Sequence, residues 1–430
     1  MRHVQWLLWL GICWAGKAQA QTPSVDQHQN YIHNDTALYD FFGKLQKTDS
    51  NVVRILHIGD SHLQAGFFPG EARKALQQTF GNAGRGFVFP YHLMKTNGPD
   101  GYRWHNTGYW RDVNLLGTGV RAGSIAEDIP VGLGGYTLYS QSSAAALEFT
   151  FTGAAAAGET IRSAVLLTGG AAADTLDIPY RHVTLPRGVA ALQPIQTDSL
   201  ADFRYDSVSF STPSRSFEIS WKGKGAAKTP LEFYGAVLYS GEPGILYNAT
   251  GVNSARFKEY NESWLFFRQL SYAKADLIII SLGTNEGMGR VDLTELKEDI
   301  DRLVTRIHTA APGSALLFTL PGDVMLRRYR TVTRKTSKGP RRYRSSVLVH
   351  DPYIAAVRDA MTAYCREHGL AYWDMYRVMG GAGSFSRWRS RGLAASDGVH
   401  YTVKGYEMQG GLMAAAIKKA YGHFLLRQGK

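Results

Sequence analysis

The sequence predicts a parallel α/β domain interrupted by an inserted antiparallel β domain. Three observations carry that prediction. Residues 276–282 (DLIIISL) form an unbroken apolar run, which marks a strand buried on both faces of a parallel sheet. On either side of the chain's middle, segments with helical apolar spacing alternate with short strand-like runs. Between about 122 and 240 the alternation stops, Ala, Gly, Ser and Thr dominate, and period-two runs appear at 147–152, 163–167, 207–210, 217–221 and 231–239. Short alternating runs separated by turns predict a β-sandwich.

Taken in order, 31–48 reads as a helix, 51–58 as a buried strand ending in Gly59-Asp60-Ser61, and 70–80 as a helix. The Gly81–Gly86 turn lacks the spacing of a dinucleotide-binding loop. Beyond 243 come helices at 255–274, 293–310, 352–368 and 404–421, with strands at 276–282, 315–320 and 371–374 between them. The predicted division is a leader at 1–20, the first part of the α/β domain at 21–120, the inserted sandwich at 121–240, and the second part at 241–430. No internal repeat is visible.

Composition narrows the class. With 430 residues, 44% of them hydrophobic and 20% charged, the chain is neither disordered, collagen-like nor a small disulfide scaffold. Arg2 and His3, the apolar run 4–15 and the small-x-small site Ala18-Gln19-Ala20 have the parts of a secretory signal. The expectation is export to the periplasm or the medium. No later stretch approaches the roughly 18 apolar residues of a spanning helix, so no stable membrane insertion is expected after cleavage. Cys13 leaves with the leader. Cys365 then has no intramolecular partner and, within a helical pattern, reads as a packed thiol.

Three polar clusters fall where a parallel sheet presents its carboxyl ends, the place where such sheets bind ligands. The first is Ile58-Gly59-Asp60-Ser61-His62, which places Ser61 at a helix start where backbone N–H groups are free. The second is Leu282-Gly283-Thr284-Asn285-Glu286-Gly287, whose Asn285 can donate to an oxyanion or simply shape a turn. The third is Ser396-Asp397-Gly398-Val399-His400, in which a carboxylate three residues before an imidazole can orient it as a proton acceptor.

In this order the clusters resemble the SGNH (GDSL-type) hydrolase superfamily. Ser61 matches the block I serine, in the form GDSH. Asn285 matches the block III asparagine of GxN, and Asp397 with His400 matches the block V DxxH pair. Gly251, in Tyr247-Asn248-Ala249-Thr250-Gly251-Val252-Asn253, is a looser match to block II. The resemblance implies a flavodoxin-like three-layer α/β/α sandwich and carboxylester hydrolysis without cofactor or metal. It implies Ser61 as nucleophile, His400 as general base and then acid, and Asp397 as its orienting partner. The oxyanion would be held by the N–H groups of Ser61 and Gly251 and by the Asn285 side chain. A β domain between blocks I and II is similar to the arrangement in periplasmic peptidoglycan O-acetylesterases, which makes an acetylated glycan the expected substrate.

Other readings compete. A lipase or an O-acyltransferase would use the same triad, and a glycan-binding protein would leave it idle. His57, Asp60, His62, Asp397 and His400 would have to converge to form a metal site. Trp104, Trp110, Trp221, Trp373 and Trp388 are candidates for stacking on sugars or for the core. The formal charge of +12 would ordinarily prompt a nucleic-acid partner, but that partner is not expected of an exported esterase. Nine of the positive charges lie at Arg327, Arg328, Arg330, Arg334, Lys335, Lys338, Arg341, Arg342 and Arg344, with no acid among residues 327–344. This run follows the strand ending at Leu320 and reads either as a solvated loop or as a guide for an anionic substrate. Arg387, just before block V, lies on the same edge.

Overall fold

The computed structural model describes residues 25–429 apart from 118–119, 170–179, 186–187, 190, 199–202 and 223–229. The expected leader lies outside the described residues. Five parallel strands make up the main sheet: β1 (Val52–Gly59), β2 (Gly244–Gly251), β3 (Leu277–Ser281), β4 (Ala315–Leu320) and β5 (Ala371–Asp374). Their spatial order is β2-β1-β3-β4-β5, the flavodoxin-like order, with the short strand Ile32–His33 pairing antiparallel on the β5 edge. Register aligns Gly251 and Ser281 with Gly59, so β1, β2 and β3 end level with one another.

Strand periodicity sends alternate residues to opposite faces. Val53, Ile55, Ile279, Leu317 and Trp373 pack with Phe41, Leu76, Met413 and Ile417 on one side. Leu56, Ile58, Ile278, Ile280 and Phe318 pack with Leu265, Phe266, Ile300 and Val357 on the other. Both faces of the sheet are therefore covered by helices, which explains why β3 reads as an unbroken apolar run. Cys365 is buried in the helix Pro352–Glu367, and burial pushes its thiol up to about 12.

The antiparallel region holds a five-stranded and a seven-stranded sheet. They meet across an aromatic core in which the fully buried Trp104 ring lies 5.2 Å from Phe149, 5.9 Å from Phe217 and 5.3 Å from Phe233. These sheets begin upstream of the expected boundary at 121. Gly86–Val88, Tyr102–Thr107 and Arg111–Asn114 already pair into them. These strands bury only one or two side chains each, too few to show a period in the sequence.

Three further expectations are corrected. The helix expected over 31–48 is an edge strand, a 3-10 turn at Asp35–Leu38 and a helix only at Tyr39–Leu45, because Asn34 adopts a left-handed conformation with φ of 52°. The helix expected over 255–274 breaks at Ser263, whose hydroxyl donates to Val131 O and caps the second segment, Trp264–Ala273. The basic run is an antiparallel hairpin, Met325–Thr336 paired with Gly339–His350. The tryptophans are chiefly core: Trp104, Trp221, Trp373 and Trp388 are buried, and Trp110 packs edge-on against Trp221 at 5.5 Å.

Replacing Trp104 with Ala removes the ring that joins the two antiparallel sheets. A loss of about 3–5 kcal/mol in urea unfolding is expected. A loss below about 1 kcal/mol would show that the sheets do not depend on that contact.

Candidate active site

The site begins where β1 ends. A Cβ on Gly59 would lie 2.6 Å from the Ser281 carbonyl oxygen, so only glycine allows β1 to pass β3 this closely. Asp60 follows as N-cap, accepting from His62 N at 2.9 Å, and Ser61 opens the helix Ser61–Gln64. Gly251, at the end of β2, faces this helix: a Cβ there would lie 2.5 Å from Asp60 O and 2.6 Å from Gln64 N. That close packing alone requires a glycine at 251.

His400 arrives from the far end of the chain. Gly398 takes a φ of 97° and leaves no room for a Cβ beside Met325 O. Asp397 Oδ1 accepts from the backbone N–H groups of Val399 and His400 at 2.9 and 3.0 Å, and its Oδ2 lies 2.7 Å from His400 Nδ1. His400 Nε2 lies 2.9 Å from Ser61 Oγ. Partial burial opposes ionisation of Asp397, but these N–H donors and the His400 ring hold its carboxyl below the usual range. The three side chains therefore form one hydrogen-bonded chain: hydroxyl, imidazole, carboxylate.

Asn285 reaches the residue before Ser61: it donates to Ala255 O at 3.0 Å and to Asp60 Oδ2 at 3.4 Å. Asp60 is fully buried, and burial raises its carboxyl to about 7 against the pull of the His62 N–H and His400. Glu286 next to Asn285 is likewise raised to about 7 by burial, and it caps Phe257 N. His62 lies under the triad with its ring 5.3 Å from that of His400 and its Nδ1 3.0 Å from Tyr406 Oη. Burial, then the charge of His400, lowers it to about 3, so it stays neutral.

His57 does not join this group. Its ring lies between Tyr247 Oη at 2.8 Å and Ser281 Oγ at 2.6 Å, inside the fold. Among the described residues no group of three or more His, Cys, Asp or Glu side chains is placed to hold a metal ion. Of the expected substrate-binding arginines, Arg328, Arg330, Arg341 and Arg342 are exposed along the hairpin. Arg327, at the hairpin's base, donates to Ser396 O, and Arg387 donates to Gly380 O.

Residues that the sequence did not single out complete the surroundings. Gln64 donates to Thr96 Oγ1 and to Asn97 O, both at 2.8 Å, and accepts from Asn253 N at 2.7 Å. Ser254, in the same turn, takes a φ of 66°. Only the Thr250–Ser254 run of small and polar residues hinted at this turn.

The chain matches the model of the GDSL-like Lipase/Acylhydrolase family over residues 220–408. That span contains Gly251, Asn285, Asp397 and His400, and it starts within the last strands of the β insertion, well after Ser61. The clusters and the family match make the chain similar to SGNH hydrolases of the GDSL type, and both support a carboxylic ester hydrolase. Its fold is that of a solved peptidoglycan O-acetylesterase, at a TM-score of 0.68 and 20% identity over 91% of this chain and 99% of that one. A lipase/acylhydrolase from Enterococcus faecalis aligns over 42% of this chain and 77% of its own, at 14% identity and a TM-score of 0.27. No curated protein sequence matches the chain.

The elevated carboxyl of Asp60 has a consequence for stability. A folded-state value above the unfolded one means that ionising Asp60 costs the fold, progressively as pH rises from about 4 to about 7. The variant Asp60→Asn lacks this cost. Its stability relative to the parent should therefore improve between pH 5 and pH 8 by at least about 1 kcal/mol in urea unfolding. A difference that does not move with pH would show that Asp60 is ionised throughout that range.

Proposed function

We propose that the protein hydrolyses O-acetyl esters on a glycan, peptidoglycan or a related polysaccharide, through an acyl-serine intermediate on Ser61. The observation that carries the mechanism is the continuous bond chain Ser61–His400–Asp397 at 2.9 and 2.7 Å. Ser61 Oγ attacks the ester carbonyl while its proton passes to His400 Nε2. Asp397 fixes the ring by accepting from Nδ1 and stabilises the imidazolium that forms. His400 then protonates the departing sugar oxygen. Water, deprotonated by the same ring, cleaves the acetyl-serine and releases acetate.

The tetrahedral oxyanion would be held by the backbone N–H of Ser61, at a helix start, with the Asn285 amide and the Gly251 N–H beside it. Asn285's 3.4 Å bond to Asp60 is the longer of its two, so that hydrogen is the one an oxyanion captures. The glycan substrate is supported by the shared fold with the peptidoglycan O-acetylesterase and by the β region between blocks I and II. The leader-like composition of residues 1–20 supports a reaction outside the cytoplasm.

With 4-nitrophenyl acetate, Ser61→Ala should abolish turnover while leaving the fold intact. Asp397→Asn should lower kcat by about 10⁴, and Asn285→Ala by about 10² to 10³. Acetate release from O-acetylated peptidoglycan, xylan and pectin fragments tests the substrate. Activity surviving in Ser61→Ala would overturn the nucleophile, and no acetate from any glycan would overturn the glycan.

A further inference from the structure

The basic run is not a loop but an arm. Its two strands, twelve residues each, pair with each other alone, and all nine cationic side chains are exposed. An isolated two-stranded hairpin is marginal in water. This one also sets Arg334 directly opposite Arg341, a like-charge pair that weakens the hairpin further. With no acid between 327 and 344, the arm carries no carboxylate of its own to offset this repulsion. An external anion would.

The arm's base is fixed to the catalytic loop. Met325 N donates to Gly398 O at 2.7 Å, and Arg327 Nη2 donates to Ser396 O at 3.1 Å, on either side of Asp397. Anything held along the arm is thereby presented beside Ser61 and His400. Alternation places Arg328, Arg330, Arg334 and Arg341 on one face, a strip roughly 20 Å long at strand rise. An extended strip matches a linear polyanion rather than a single small anion. Exposed tyrosines lie among the cations: Tyr329 carries Arg344 at 3.9 Å over its ring, and Tyr343 is exposed as well. Rings of this kind suit sugar faces. The turn at the tip, Thr336-Ser337-Lys338-Gly339, has no large apolar side chain to insert into a bilayer.

We infer that the hairpin 325–350 is a docking arm for an anionic polysaccharide, whose carboxylate or phosphate groups it grips while feeding O-acetylated sugars to the site. This inference rests on the esterase reading above and names its substrate class, an acetylated glycan that carries regular negative charge.

The test replaces Arg334, Lys335, Lys338, Arg341 and Arg342 together with Gln in the full chain. The quantity read is kcat/KM on O-acetylated polygalacturonate divided by kcat/KM on 4-nitrophenyl acetate in the same preparation. This ratio should fall by about tenfold or more at low salt. Rising salt should bring the parent's ratio down towards that of the variant. On neutral acetylated xylan the ratio should stay unchanged. A ratio unchanged on the anionic polymer, or lowered equally on xylan, overturns the inference. So does a Ser61→Ala chain that binds phosphatidylglycerol vesicles or duplex DNA more tightly than de-esterified polygalacturonate. If the parent cleaves no 4-nitrophenyl acetate, the esterase reading fails by itself, while the polygalacturonate binding measurement still reads the arm.

Discussion

The contact on which the site depends is the hydrogen bond between Ser61 and His400, two residues 339 positions apart. Neither end is free to move. Ser61 is set by the tight exit of β1 at Gly59 and by the close approach of Gly251. His400 is set by the docking of the last helix, Val403–Arg427, on the helix Phe67–Phe80 that follows Ser61. Gly410 makes this docking possible, since a Cβ there would lie 2.5 Å from Phe68 O. Gly405 brings the start of the same helix against Leu393 O, with no room for a side chain. The triad is thus a product of helix packing on one face of the sheet, and the bond between its ends reports whether that packing has formed.

The electrostatics beneath the triad follow from burial. A proton arriving on His400 creates a cation that Asp397 offsets directly. A second charged imidazole 5.3 Å away would oppose it, but His62 is buried and held neutral, so it lines the site as a polarisable ring without adding charge. Asp60 behaves in the same sense. As a fully buried carboxyl it resists ionisation, which limits the negative charge beside Asn285. Negative charge in the site is concentrated on Asp397, where the His400 ring and two backbone N–H groups receive it.

The chemistry-bearing residues were legible because residue type and spacing carry them. Ser61, Asn285, Asp397 and His400 each sit in a short cluster just past a strand or just before a helix, and β3 to β5 appear within a residue or two of where apolar runs place them. The residues that support them were not legible. Gln64, Thr96, Asn97 and Asn253 form a polar knot whose members belong to three separate segments, so no local pattern marks them. The upstream edge of the β insertion was hidden by the shortness of its first strands. The hairpin was hidden by its charge: Arg and Lys occupy positions on both faces, which erases the period-two contrast between polar and apolar that announces a strand.

The insertion does more than lengthen the chain. It leaves the α/β core after the helix Phe67–Phe80 and returns directly into β2, so both of its connections lie at the amino ends of β1 and β2, where Gly81 packs on Gly244 and Gly244 N donates to Asn51 O. Its segments hold the block II turn from outside: Thr250 donates to Gly134 O, and Tyr136 donates to Gln64, which in turn accepts from Asn253 N. The hydrolase core supplies the reacting groups, and the β region braces one wall of the cleft. The basic hairpin, rooted on the loop that carries Asp397, stands at the opposite connection. The insertion enters at the amino edge of the sheet and reaches the carboxyl ends through Gly134 and Tyr136, whereas the hairpin enters at the carboxyl edge itself; in both cases what is bound can change without disturbing the strands that set the triad.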